Sequence, residues 1–334
     1  VPNYFYFNNT EKYAKFEFEP HQDMVIIGEL NWRQYKNKLI ICCNKEFKLE
    51  STKQSQTVDK YSNYLSINNI ILEHIPIIKS NLQKCIRRSL IEKSIVSAIT
   101  LFCLNKNELL RRLPIIMLED TVVNYHFINL VWLMCASSKG FEISENILMY
   151  ILGIVKYLAS IHRREIMNNM DNKNINLKEI LKDHTLLHLI DRDLLWSLQL
   201  RKAYGGLHGD MDMLDYYTLK WYERLQYANN NLDIDIGKLD LECISLFNVD
   251  IIHPSAIDFH CTGILKQIMK KYNNIGKSDI KNAIWHHRSK INSKKIIYGI
   301  DEYNGEYEET WKTIKSYLHI SSINYISYKF NMIE

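Results

Sequence analysis

Between about Ser62 and Ala203 the apolar residues return every three or four positions, a pattern that a packed helical array buries. Ile86, Leu90, Ile95, Ala98, Ile99 and Phe102 fall on one helical face; Ile147, Ile151, Ile154, Val155, Leu158 and Ile161 fall on another. Asn105-Lys106-Asn107-Glu108 reads as a capping box, in which the amide oxygen accepts from the first turn and the carboxylate reaches back. Pro114 suits the first turn of a new helix, where its missing N–H is not needed. Lys139-Gly140 closes one helix and Ser144 caps the next. These signals predict about six helices.

Upstream of this block the period changes. Tyr4–Phe7, Phe16–Phe18, Met24–Leu30 and Leu39–Leu49 are aromatic or β-branched runs broken by Asn, Pro and Asp, and predict short strands. The polar run Ser51–Thr57 is the expected linker, and Asn168–Asn176 an expected surface loop. Beyond Tyr204-Gly205-Gly206, short helices are expected at about 211–228, 256–273, 279–290 and 307–318. The fold class expected is therefore mainly α. A β-rich module at 1–55 precedes an all-helical array at 60–204 and a mixed, mostly helical C-terminal domain at 205–334. Three units suit 334 residues, at roughly 100–200 residues per domain.

Charge and composition narrow the function classes. A formal net charge of +4 is too small for the whole surface to bind polyanions, so a basic function must be local. The chain holds 46 Ile, 31 Asn and 31 Lys against 11 Arg, the codon bias of an A/T-rich genome such as that of a large DNA virus or a protozoan parasite. Lysine abundance alone is thus weak evidence of a ligand. The 7 Cys show no CxxC spacing, which predicts a reducing compartment. The longest apolar stretches, such as 147–155, fall short of the ~18 residues of a membrane span, and the charged N-terminal run does not read as a secretory signal. A soluble intracellular protein of cytoplasm, nucleus or viral factory is expected.

Arg111-Arg112-Leu113 is followed, after five residues, by Glu119-Asp120. With the helix expected at roughly 80–104 and a pair at roughly 121–160, this resembles the C-terminal helical collar of clamp-loader-like AAA+ ATPases of replication and recombination. The resemblance covers about 80 residues and implies self-association or a protein partner through the array, with no chemistry. The ATPase domain is not recognisable. Gly276-Lys277-Ser278 is the nearest approach to a phosphate loop, but Lys271 stands where its first Gly belongs and a helical pattern precedes it. Alternatively, Arg111 or Arg112 pairs with Glu119 or Asp120 and ties a helix junction together.

Two constellations carry chemistry. Lys266, Lys270, Lys271, Lys277, Lys281, Arg288, Lys290, Lys294 and Lys295 fall within thirty residues against Asp279 alone, with Trp285 among them. The cations can neutralise phosphates and the indole can stack on an unpaired base of DNA or RNA. The bland alternative is a solvated helical face. The second constellation is His208, Asp210 and Asp212 after a Gly-rich turn, with Asp258 and His260 as a further pair. Together they could hold a divalent metal that activates water for phosphoester hydrolysis. Alternatively the acids sit in first turns, where the helix dipole favours them. His208-Gly209-Asp210 also resembles the catalytic HGD of aminoglycoside-phosphotransferase-like kinases, with Asp258 in place of their metal-binding Asp. The Asn expected about five residues on is missing. Of Cys42-Cys43, in a predicted strand, one is expected to face the core.

The leading expectation is a non-catalytic, accessory nucleic-acid-binding or assembly protein of replication, recombination or genome handling. A metal-dependent phosphoesterase and a pure interaction scaffold are the alternatives.

Overall fold

The computed structural model describes residues 1–48, 61, 71–162, 188–227, 232–236, 239, 247–258, 263–289, 305 and 307–330. The expected linker at 51–57 and loop at 168–176 lie outside them, as do His260, Lys290, Lys294 and Lys295. The fold is mainly α with a small N-terminal sheet. Four strands, β1 (Tyr4–Asn8), β2 (Tyr13–Glu17), β3 (Met24–Trp32) and β4 (Asn37–Asn44), form one sheet in the order β2-β1-β4-β3, with β1 and β4 parallel. The helices are α1 (Ile75–Arg87), α2 (Ile91–Asp120), α3 (His126–Ser137), α4 (Glu145–Ser160), α5 (Leu189–Ala203), α6 (His208–Tyr227), α7 (Ile264–Lys271), α8 (Lys277–Ile284) and α9 (Glu308–Lys329). Among the described residues no helix is long and apolar enough to cross a membrane.

The sheet does not bury its own core. Phe5, Phe7, Leu39, Ile41 and Cys43 are fully buried in one apolar cluster with residues of α1 through α6. Trp132 of α3 is the hub: its Nε1 donates to the carbonyls of Phe5 (3.0 Å) and Cys42 (3.1 Å), and its ring lies 4.8 Å from that of Phe7. Both Cys42 and Cys43 are buried, not one of the pair, because β4 runs between β1 and β3 and Cys42 lies in register with the buried Tyr6. A second cluster, Ile264, Ile268, Ile280, Ala283, Ile284, Ile314 and Leu318, holds α7, α8 and the first half of α9 together.

The helix punctuation is partly as expected. Asn105 breaks α2 (φ −164°, ψ 96°) and its Oδ1 accepts from the amides of Asn107 and Glu108. Ser144 accepts from the amide of Ile147, and Gly140 takes φ +83° at the end of α3. Two readings need correction. Ile86 and Leu90 do not share a helix with Ile95, because Ser89 at φ 56° separates α1 from α2. Pro114 lies in a helix interior, since the cap that starts this segment is Asn105, well upstream. A ring at that place removes a backbone bond and crowds the preceding turn. One residue past the carbonyl of Leu110 that loses its donor, Arg201 donates through Nε (3.2 Å) and Nη2 (3.0 Å) to the carbonyl of Arg111.

The exposed edge of β2 is closed by side chains. The amide of Ala14 donates to Asn129 Oδ1 (2.7 Å) and that of Phe16 to Asp193 Oδ1 (3.0 Å), so two ladder donors are unavailable to a foreign strand. Burial pushes the Asp193 carboxyl up to about 7, against the pull of the Phe16 amide. Below its ordinary value of 3.8 the group is protonated folded or unfolded; between there and about 7 only the folded state keeps the proton. Stability from this group therefore falls as pH rises through that window and is flat above it. Comparing urea unfolding of wild type with Asp193→Asn, which keeps the acceptor, the difference should fall by about 1 kcal/mol per pH unit between pH 4 and 7. A pH-independent difference would show that the carboxyl is not desolvated.

Candidate nucleic-acid interface and cationic cleft

The strip-like basic surface begins on α7. Its apolar Ile264 and Ile268 go to the small core, which turns Lys266 and Lys270, one helical turn apart, to solvent. Lys271, at the end of the helix, lies over the ring of Tyr317 at 5.1 Å. The turn through Tyr272 to Gly276 leads into α8, where Ile280, Ala283 and Ile284 take the core face. Lys277 and Lys281 are exposed on the other face, four residues apart, and Trp285 follows at the same spacing with 41% of its surface open. Asp279 is the acidic residue in the first turn of α8. Gly276-Lys277-Ser278 thus opens a helix that follows a helix and a turn, not a strand.

Arg288 does not belong to that surface. The chain winds into a π-helical turn at Trp285–Ser289, which swings Arg288 inward to 7% exposure. There it meets a buried charge network built on α1. Arg87, fully enclosed, pairs with Asp120 and, at 2.9 Å, with Glu119. Burial alone would lower its pKa, but the Asp120 and Glu119 carboxylates outweigh burial and hold the pKa above the ordinary value. Gln83 donates to both carboxylates, at 2.6 and 3.0 Å. The Ser289 carbonyl accepts from Arg87 and, at 3.0 Å, from Lys84, which lies 3.7 Å from Asp258. Burial, then Arg87, pushes Lys84 down to about 7.

The collar-like motif is absorbed into the same network. Arg111 donates to the Tyr204 carbonyl (3.2 Å), and Arg112 donates to Gln83 and lies 3.7 Å from Asp210. Neither takes the Glu119-Asp120 carboxylates, which go to Arg87 instead. Seven to nine residues of one helix separate the arginines from the carboxylates, roughly 10–14 Å of axial rise.

Beside the network opens a cleft of about 680 Å³. Arg88 and Arg288 are its buried floor; His253 and Ser255 come from a 3-10 turn; Lys315 and His319 stand on the exposed rim formed by α9. Arg88 donates to the carbonyls of Arg288 (2.7 Å) and Lys84, and Arg288 to the Pro254 carbonyl and Ser322 Oγ. Burial pushes both guanidinium pKa values down to about 10; Arg87 and Arg288 add to the effect on Arg88, whereas Asp258 opposes it at Arg288. Burial and the neighbouring cations, Arg88 first, push His253 down to about 3, so its imidazole is neutral. Its Nδ1 accepts from the Ser255 amide at 3.1 Å, which leaves the proton on Nε2. Trp311 contributes an indole stacked on His287 at 5.3 Å.

Of the residues considered as metal ligands, His208, Asp210, Asp212 and Asp258 are described, and they are not brought together. His208-Gly209-Asp210 forms the first turn of α6; His208 is bound to Asp212 at 2.7 Å, and Asp210 faces Arg112. Asp258 is buried beside Lys84 and, at 3.4 Å, Ser289. Among the described residues no three His, Cys, Asp or Glu side chains cluster closely enough to hold a metal ion. The cleft was missed because its cations come from segments far apart in sequence. The Arg87-Arg88 doublet within an apolar helical stretch was the one local signal, since a helix that buries arginine needs a structural reason to do so. No family model matches the chain, and no curated protein or solved structure proved similar to it.

Proposed function

We propose that the protein is a non-catalytic nucleic-acid-binding protein of genome handling, and that α7 and α8 form its contact surface. One observation carries this reading: Lys266, Lys270, Lys277 and Lys281 stand exposed on two consecutive helices that end in the exposed Trp285. The lysines would neutralise backbone phosphates and the indole would stack on a base, a combination suited to single strands. The collar resemblance fits the same setting of replication or recombination. The metal-dependent alternative lacks an assembled ligand set among the described residues and is not pursued.

Binding of labelled single-stranded DNA and RNA across a salt series tests the reading. Log affinity should fall with log salt at about 0.7 per contacted phosphate, and Lys266→Glu with Lys270→Glu should flatten the slope by roughly one to two units. Trp285→Ala should weaken single-strand binding about tenfold, near the low-to-middle range for one stacked base. Absence of binding at low salt, or a slope unmoved by the lysine reversals, would sink the proposal.

A further inference from the structure

We propose that the cleft floored by Arg88 and Arg288 is a binding site for a phosphomonoester of nucleotide size. The inference is independent of the lysine surface on α7 and α8 and can stand if that reading falls.

Cations reach this cleft from three places in the fold. Arg88 comes from the α1–α2 junction, Arg288 from the π-helical turn, and Lys315 with His319 from α9. Among the described residues the lining contains no carboxylate. Glu119 and Asp120 are engaged with Arg87 and Gln83, whereas Asp258, 3.7 Å from Lys84, offsets only part of the burial effect at Arg288. Arg87 and Arg288 both act against the charge of Arg88, so like charges meet at this floor, and an anion of two charges favours their charged forms.

The donors are also held in place. Carbonyl oxygens of Lys84, Arg288 and Pro254 and the Ser322 hydroxyl anchor the two guanidinium groups. Among the described residues Arg288 donates only through Nη2, so its Nε and Nη1 hydrogens, which point to different sides of the guanidinium, remain as single donors for phosphate oxygens. His253, with its proton on Nε2, adds a neutral donor to the lining.

Size and polarity choose the rest of the ligand. A volume of about 680 Å³ lies within the range of small-molecule sites and far exceeds what one phosphate fills. Trp311 and Ile320 supply an apolar wall, and the stacking of Trp311 on His287 holds the indole rigid. A phosphate joined to a sugar and a flat base fits that division. The same chemistry occurs in a free mononucleotide and at the phosphorylated 5′ end of a strand.

Titration calorimetry on the whole chain at fixed ionic strength tests it, with adenosine 5′-monophosphate, adenosine and inorganic phosphate as probes. The monophosphate should bind at least tenfold tighter than adenosine. Lys315→Glu with His319→Glu, both on the exposed rim and therefore tolerant of change, should remove most of that advantage while the circular dichroism spectrum stays that of wild type. Competition with 5′-phosphorylated and 5′-hydroxyl oligonucleotides then separates the sources. Displacement by the phosphorylated strand alone assigns a strand end, and displacement by neither assigns a free nucleotide. Equal affinity for monophosphate and adenosine, or a monophosphate affinity unchanged by the rim reversals, would overturn the proposal.

Discussion

Asp120→Asn is expected to destabilise the fold by about 3–5 kcal/mol, the range seen when one partner of a buried ion pair is removed. Asp120 is fully buried and serves Arg87 through both oxygens and Gln83 through one. The balance at Arg87 decides the sign. Desolvation opposes its charge, and Asp120 first and Glu119 second outweigh it through attraction and hydrogen bonds. With Asn in place, Glu119 alone faces a guanidinium that is 1% exposed. A urea midpoint shift without change of slope is the measurement. The double change Arg87→Met with Asp120→Leu should recover much of the loss, because apolar residues of similar volume replace such pairs at little cost. A loss below about 1 kcal/mol for Asp120→Asn would mean that water reaches the pair. Since Arg87 also binds the Ser289 carbonyl, amide exchange should quicken around 285–289 in the same variant.

Trp132→Ala is expected to cost about 3–5 kcal/mol, the range for a buried aromatic truncated to alanine. Its ring is fully buried among Phe7, Phe47 and Phe141, with centroids 4.8, 6.0 and 5.3 Å away. Its Nε1 spans two strands by serving Phe5 and Cys42. The cavity and the lost donor act together, so Trp132→Phe should cost distinctly less, about 1–2 kcal/mol. Equal effects of Ala and Phe would show that the hydrogen bonds, not the packing, hold sheet to helix.

The period of the apolar residues was enough to tell the strand region from the helical one, because burial of one face leaves a local signature. It did not set the bounds: α7 covers only Ile264–Lys271 of the expected 256–273, and α9 runs on past 318 to Lys329. The cap at Asn105 and the stop at Gly140 were legible for the same reason: backbone donors are satisfied within a few residues. Ser89 and Pro114 were not, since a left-handed serine and a proline in a helix interior both run against the local preference of their residue type. In the candidate surface the exposed lysines of α7 and α8 followed from amphipathic spacing. Arg288, three residues past Trp285, looked like part of the same run and turned inward instead, because the π-helical turn changes the angle per residue.

Taken by itself, the sequence determined the element types, the mainly α class and the solvent face of the two basic helices, all properties of neighbours in the chain. Only the tertiary structure decided that the sheet shares its core with the helices and that Arg87 takes the carboxylates of Glu119 and Asp120. It alone gathered Arg88, His253, Arg288 and Lys315 around one cleft. Charges act through space over a few ångströms, whereas sequence patterns report only the residues one or two helical turns away.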